Sequence, residues 1–175
     1  LNITGYGEFT NNSNYEQDQV NLQYSQFITR TVFCGNRICQ LIHGNLDGLE
    51  EGKDVDDKIV VERFFGLAGA EVSSYCGDRE RFLGRYHGYG NPDGVLRGEL
   101  DRELNYTENG CGALTAKITL APGETINLAF ILGMKSDEAA ERILKHYQNT
   151  EETCDRELKE LISYWHGKLS HFQVK

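Results

Sequence analysis

The sequence predicts a mainly β protein, an antiparallel β-sandwich followed by two C-terminal α-helices. Short segments rich in β-branched and aromatic residues recur before Ser136, and turn residues and many of the 19 glycines separate them. A helical period begins only after Ser136. The content of 39% hydrophobic and 26% charged residues is typical of a globular protein. Many short strands between Gly-rich turns favour a sandwich or barrel over βαβ units.

Four strands are expected in the first half of the chain. Leu22 to Phe33 is rich in β-branched and aromatic residues and contains neither Gly nor Pro. Ile38 to His43 follows after the turn Gly35-Asn36, and Ile59 to Phe65 and Ala70 to Ser74 are shorter candidates.

The stretch from Ala113 to Gly133 predicts an antiparallel hairpin. Two runs in it alternate apolar with polar or small residues, namely Leu114, Ala116, Ile118, Leu120 and then Ile126, Leu128, Phe130, Leu132. The segment Ala121-Pro122-Gly123-Glu124 supplies a turn between them, because Pro fixes φ and Gly permits positive φ. We therefore expect the two runs to pair with each other.

Two helices are expected after the sandwich. Ser136 is a suitable N-cap for the first, and Thr150 for the second. The second carries an apolar stripe at helical spacing, formed by Leu158, Leu161, Ile162, Trp165, Leu169 and Phe172. These patterns predict a sandwich domain over residues 1–135 and a helical linker over residues 136–175. The stripe favours a further partner, in line with a chain cut from a longer protein.

The charge excludes one class of partner. The chain has 18 Lys and Arg against 27 Asp and Glu, a formal net charge of −9, so binding to nucleic acid is not expected. No apolar run reaches the length of a membrane span, and the start of the chain has no secretion signal. We therefore expect a cytoplasmic protein that does not enter a membrane.

Cysteine and histidine spacing predicts neither a disulfide framework nor a metal site, and no cofactor motif is present. The five cysteines are expected to be reduced and mostly buried. Cys34 and Cys39 would lie on opposite faces if they shared one strand, because their separation is odd. The acidic run Asp54 to Asp57 departs from the calcium-loop pattern, since Lys58 stands where Gly is required, and it is interpreted as a solvated loop.

The candidate binding residues lie in one Gly-rich segment. They are Arg85, Tyr86, His87, Tyr89 and Asn91. Sugars are bound by aromatic faces that cover C–H surfaces and by planar polar groups that pair with hydroxyls. The segment has both ingredients. A tight loop whose aromatic rings cover the edge of the sandwich remains the alternative interpretation.

Several motifs, in order, resemble the N-terminal region of cellobiose and cellodextrin phosphorylases, which form glycoside hydrolase family 94, formerly glycosyltransferase family 36. They include Phe82-Leu83-Gly84-Arg85-Tyr86, Asn91-Pro92, Gly110-Cys111-Gly112-Ala113-Leu114, Leu120-Ala121-Pro122-Gly123-Glu124 and Phe130-Ile131-Leu132-Gly133. Ile42 to Gly48 and Glu62 to Gly66 look closest to the cellodextrin branch. The resemblance implies a supersandwich-like domain, followed by linker helices and a catalytic (α/α)6 barrel.

The resemblance also implies a parent enzyme that cleaves a β-1,4-glucosidic bond with phosphate and inversion. Its catalytic positions belong to the barrel, so this chain alone is expected to be inactive. It would scaffold a homodimer, and the Arg85–Asn91 loop would contact β-glucan oligosaccharide or the second subunit. Two alternatives remain open, a stand-alone carbohydrate-binding module and a protein–protein interaction domain.

Overall fold

A computed structural model describes residues 1–10, 26–43, 59–106 and 108–170 of the chain. The strands are β1 Asn2–Glu8, β2 Thr29–Cys34, β3 Arg37–His43, β4 Ile59–Ala68, β5 Ser74–Asp78, β6 Gly110–Lys117 and β7 Ala129–Gly133. The helices are α1 Arg79–Leu83, α2 Asp93–Leu96, α3 Asp137–His146 and α4 Thr150–Leu169, and a 3-10 turn spans Gln26–Ile28. None of the described helices is both long and apolar enough to cross a membrane.

The described strands form two antiparallel sheets. One has the order β1-β6-β5 and the other the order β2-β3-β4-β7. The predicted fold class, a mainly antiparallel β-sandwich followed by two helices, is confirmed. The predicted boundary between residues 135 and 136 remains a prediction.

The main core lies between the two sheets. Its buried side chains come from both, with β6 on one side and β3 and β4 on the other. The members are Phe9, Ile38, Phe65, Leu67, Leu114, Ala116 and Ile118. Burial of these apolar surfaces is the dominant stabilising contribution in a sandwich of this kind.

Each sheet also has a covered outer face. Phe82 and Leu83 of α1 join Cys76, Cys111 and Ala113 in a second cluster on the three-stranded sheet. On the four-stranded sheet, Ala140 of α3 packs with Cys39 and Phe64 in a third cluster. The layers are therefore short helices, sheet, sheet and helix, and β6 is buried on both faces for most of its length.

Small residues in β6 allow this close packing. A Cβ placed on Gly112 would lie 2.2 Å from Cβ of Phe65 on the opposing sheet. Real Cβ atoms do not approach so closely, so glycine at this position lets the phenylalanine reach the backbone of β6.

The strand predictions at Ile38–His43 and Ile59–Phe65 are confirmed, although β4 runs on to Ala68. The strand predicted at Ala70–Ser74 is wrong, because β5 begins only at Ser74. Two backbone groups before β5 bond to a side chain: Asn36 Nδ2 donates to Ala70 O, and Asn36 Oδ1 accepts from Val72 N. Ser73 N, directly before β5, donates to Thr115 O of β6 over 2.8 Å. Within the predicted strand Leu22–Phe33, a 3-10 turn precedes β2, and residues 22–25 lie outside the described residues.

The hairpin predicted for Ala113–Gly133 is wrong. β6 is the middle strand of its sheet and already pairs with β1 and β5, so it has no free edge for β7. β7 instead pairs with β4 in the other sheet. The turn at Ala121–Glu124 does form, since Glu124 N donates to Ala121 O over 3.0 Å, but it lies within a connection between sheets.

The two helices occur where they were expected. Ser136 is the N-cap residue of α3, whereas Asn149 rather than Thr150 is the N-cap residue of α4. The hydroxyl of Thr150 donates instead to Tyr147 O over 2.8 Å. Phe172, the last residue of the predicted stripe, and the acidic loop Asp54–Asp57 lie outside the described residues.

Candidate functional site

The candidate loop is positioned by α1. Asp78, the last residue of β5, caps this helix, with its Oδ1 accepting from Arg81 N over 3.0 Å. Phe82 and Leu83 are buried against the outer face of the three-stranded sheet. The chain therefore leaves the sheet through a short, anchored helix, and the segment from Gly84 to Pro92 begins at a fixed point.

Three features shape the loop. Gly84 has φ of 85°, a conformation that side chains rarely adopt, and a Cβ there would meet Asp93 Oδ2 at 2.3 Å. His87 Nδ1 lies 2.6 Å from Asp93 Oδ1, which ties the middle of the loop to the first residue of α2. A backbone bond from Asn91 N to Gly88 O, 2.9 Å long, forms the final turn. The loop is thus folded back on itself.

The second half of the loop contacts β1. The Tyr89 hydroxyl donates a short hydrogen bond to Glu8 Oε1, and the Tyr6 hydroxyl donates to the same oxygen over 2.8 Å. Tyr6 is stacked on Phe82 with ring centroids 4.5 Å apart, and the ring of Tyr89 is tilted against Tyr6 at 6.1 Å. This array holds Tyr89 in place while leaving it 61% exposed.

The predicted residues do not form a single pocket. Tyr86 is 95% exposed, whereas Arg85 lines a charged cleft together with Gly84. The cleft measures about 660 Å³, within the usual range for ligand sites. Five carboxylates and three guanidinium groups line it, from Asp78, Glu80, Asp93, Asp101, Glu108, Arg81, Arg85 and Arg97. Such a lining suits hydroxyl-rich ligands, since each group can donate to or accept from hydroxyls.

Sequence reasoning missed three residues that organise the site, namely Tyr6, Glu8 and Asp93. A signal was present for the first two, because residues two apart on a strand share a face and can meet a common partner. That their partner would be Tyr89, 81 positions beyond Glu8, depends on the pairing of β1 with β6 and is not visible locally.

Burial makes the four cysteine thiols in the described strands poor nucleophiles. Burial raises the pKa of Cys39 and of Cys76 to about 12, and burial also raises the pKa of Cys34 and Cys111. These thiols stay protonated near neutral pH, and a thiolate is the reactive form. The pKa of Tyr6 is also raised, mainly by burial and to a smaller extent by its hydrogen bond to Glu8.

Cys34 and Cys39 do not share one strand, so the opposite orientation expected for a single strand does not apply to them. They lie on adjacent strands of the β2–β3 hairpin, where Cys34 is opposite Arg37 and Cys39 is opposite Val32. This register places both side chains on one face, and Asp137 of α3 lies beside them. The thiol Sγ atoms and a carboxylate oxygen of Asp137 all lie within 4.8 Å of one another.

Comparison with known proteins places this fold in a family. The family model for the glycosyl hydrolase 94 supersandwich domain matches residues 1–150. N,N'-diacetylchitobiose phosphorylase of Vibrio proteolyticus is 31% identical over 164 residues, which are 93% of this chain and 19% of that protein. The Vibrio furnissii enzyme of the same name is 30% identical over 112 residues, 64% of this chain and 14% of that protein.

The chain thus spans less than a fifth of the length of these two relatives. The family expected from the sequence motifs is confirmed at the level of this domain, while the cellodextrin or cellobiose branch stays a prediction. The chain belongs to the supersandwich domain family of glycosyl hydrolase 94.

Proposed function

We propose that this chain is the non-catalytic supersandwich domain of a longer, cytoplasmic inverting phosphorylase of β-linked oligosaccharides. The observation that carries the proposal is the family match over residues 1–150, in a chain that aligns with only 19% of a phosphorylase relative. The domain supports a separate catalytic domain, contributes to a homodimer and presents the loop from Arg85 to Asn91 to carbohydrate.

Three carboxylates of the described residues lack the raised pKa of a general acid. Inverting phosphorolysis needs a general acid, and such groups have raised pKa values. In these three carboxylates the pKa is lowered from its usual value. Hydrogen bonds from Arg37, Lys145 and Tyr147 are the main causes for Asp137, Glu141 and Glu157, respectively. These three groups hold their negative charge and are poor proton donors at neutral pH.

The substrate proposed from the sequence motifs is cellobiose or a longer cellodextrin. The two relatives are named for N,N'-diacetylchitobiose, which differs at the 2-position of each sugar. The longer protein should be assayed for phosphate-dependent release of sugar 1-phosphate from cellobiose, cellotetraose and N,N'-diacetylchitobiose. Turnover of the glucose-based substrates alone supports the proposed branch, and turnover of N,N'-diacetylchitobiose alone contradicts it. Release from none of them would contradict the phosphorylase assignment.

The loop should be tested in the same longer protein. An aromatic contact contributes about 0.5–1.5 kcal/mol, so Tyr86→Ala is expected to raise KM for oligosaccharide about two- to tenfold while kcat is retained. Phe27→Ala is the matched control, because it removes an exposed ring beside the other sheet. An unchanged KM in both Tyr86→Ala and Tyr89→Ala would show that the loop does not contact carbohydrate and has only a structural role. Light scattering on both variants would show a loss of dimer if the loop contacts a second subunit.

The exposed stripe of α4 supports the proposed link to a further domain. Leu158, Leu161, Ile162, Trp165 and Leu169 are each about half exposed, which is costly for an isolated surface. We assign this stripe to contact with the catalytic (α/α)6 barrel of the longer protein. Isothermal titration of the isolated chain with cellotetraose separates this scaffold role from that of a stand-alone carbohydrate-binding module. In the scaffold role the loop contributes only about 0.5–1.5 kcal/mol, which gives no measurable heat in the isolated chain, whereas clear affinity favours the module.

A further inference from the structure

A cluster of two thiols and a carboxylate lies outside the candidate loop. The tight turn Gly35-Asn36 returns the chain from β2 to β3 and brings Cys34 and Cys39 to one face of the hairpin. α3 crosses this face, and its first residue, Asp137, meets the pair. Three separate elements therefore each contribute one group of a type that binds metal ions.

The one sulfur–oxygen distance given for the cluster matches a tetrahedral metal site, and the three ligand atoms are close enough together to share one ion. With Zn–S bonds of about 2.3 Å and Zn–O bonds of about 2.0 Å, a tetrahedral ion holds sulfur and oxygen about 3.5 Å apart and two sulfurs about 3.8 Å apart. Cys39 Sγ lies 3.5 Å from Asp137 Oδ1, and the three ligand atoms lie within 4.8 Å of one another. We infer that Cys34, Cys39 and Asp137 form a binding site for a thiophilic divalent cation of the Zn²⁺ class.

The surroundings of the cluster support such an ion. Arg37 Nε donates to Asp137 Oδ1 over 2.7 Å, which orients the carboxylate in the way that outer hydrogen bonds orient metal ligands. Binding of the ion releases the protons of both thiols to solvent. The resulting two thiolates and the carboxylate carry three negative charges, and the ion together with Arg37 carries three positive charges. The occupied site is therefore electrically neutral, which matters because Cys39 and Arg37 are buried.

The site also has an entry path and a free coordination position. Cys39 is buried, but Cys34 and Asp137 are only half-buried, so the cluster is open to solvent at these two groups. Three protein ligands leave a fourth position for water. Because Asp137 is the first residue of α3, the bound ion ties this helix to the β2–β3 hairpin.

Cobalt supplies the probe for this site. The full chain, with its thiols kept reduced, is titrated with Co²⁺ alone and then with Zn²⁺. We expect one equivalent of Co²⁺ to produce a thiolate-to-cobalt charge-transfer band and tetrahedral visible bands, and Zn²⁺ to abolish both. A spectrum without the charge-transfer band would overturn the inference.

Two variants locate the ion. Cys34→Ser should weaken Co²⁺ binding by at least about tenfold, because loss of even an outer partner costs roughly 10–100-fold. Cys154→Ser is the matched control, since it removes an exposed thiol of α4 outside the cluster and should bind like the unmodified chain. Equal binding by the first variant, or loss of binding in the control, would contradict the assignment.

A measurement without substitution covers the case in which the variant does not fold. Zn²⁺ should slow alkylation of Cys34 by iodoacetamide at least about tenfold and leave Cys154 unprotected, as followed by peptide mass spectrometry. Unchanged labelling of Cys34 in the presence of Zn²⁺ would also overturn the proposal.

Discussion

α3 and α4 are consecutive helices with apolar faces, but only α3 has that face buried. α3 inserts Ala140 and Leu144 against the four-stranded sheet, where the methyl groups of Leu144 lie over Gly66. α4 buries only Thr150 and Thr153 in its first turn, while its apolar stripe is exposed. Apolar spacing therefore identifies the face of a helix that requires a partner, but it does not show whether that partner lies within the same domain.

Polar contacts hold the start of α4 in place. Glu157 accepts from the Tyr147 hydroxyl, and one of its oxygens lies 2.6 Å from His146 Nε2. The Thr153 hydroxyl donates to His146 O over 3.3 Å. These residues join α4 to the end of α3. The apolar packing of α3 and the polar attachment of α4 should therefore respond differently to substitution.

The largest expected difference comes from one change made in both helices. Leu144→Ala should lower the free energy of unfolding by about 2–5 kcal/mol, because Leu144 is 4% exposed and truncation leaves a cavity. Leu161→Ala removes the same atoms from a side chain that is 53% exposed, and should change it by no more than about 0.5 kcal/mol. Urea unfolding of the isolated chain measures both. Equal losses would show that α4 is already packed within this chain.

Glycines provide the second test. Gly66→Ala places a Cβ 2.7 Å from both Leu144 methyl groups and should cost about 1–3 kcal/mol through overpacking. Gly167→Ala in α4 meets no atom within 4 Å and should stabilise the chain by about 0.5–1 kcal/mol, because alanine restricts the unfolded chain and favours a helix. Thermal unfolding of the two variants gives the signs. A stabilising Gly66→Ala would mean that α3 is not closely seated on β4.

The smallest expected effect is a pH dependence at the contact between the helices. Hydrogen bonds from Tyr147 and His146 lower the pKa of Glu157 in the folded chain. A lowered folded-state pKa stabilises the fold above the usual glutamate pKa, and this stabilisation is lost as pH falls through the folded value. Glu157→Gln should therefore reduce the acid dependence of stability slightly, whereas Glu160→Gln, on the same helix, serves as a control. An identical pH profile for both variants would show that the contact is not stabilising.

Part of the fold was predictable because it depends on local patterns. Short strand-like segments between turn residues identified β3 and β4, and capping residues identified both C-terminal helices. The partner of β6 was not predictable from alternation, since the same pattern fits a hairpin neighbour and an opposing sheet. The segment expected as a strand at Ala70–Ser74 is bonded at two backbone groups by the side chain of Asn36. This contact spans more than 30 residues, so local strand propensity could not predict it.

In the candidate site, too, local sequence predicted some features and long-range contacts determined the others. Composition singled out the segment from Arg85 to Asn91 and motif order supplied the family, which the domain match confirms. The contacts that fix the loop come from Glu8 and Asp93, and the two cysteines meet Asp137 only because α3 crosses their hairpin. Local sequence therefore identified chemical types, whereas topology determined which of them meet.

The pairing of β1 with β6 has a consequence for synthesis on the ribosome. The register runs from Asn2 opposite Lys117 to Glu8 opposite Cys111, so partners are separated by about a hundred residues. At about 5–20 residues per second, β1 waits on the order of 5–20 s before its neighbour has been made. Such distant pairing also slows folding itself, because the loop must close before any contact forms. The edge of β1 that pairs with β6 therefore stays exposed for longer than the edge of β5 that pairs with the same strand.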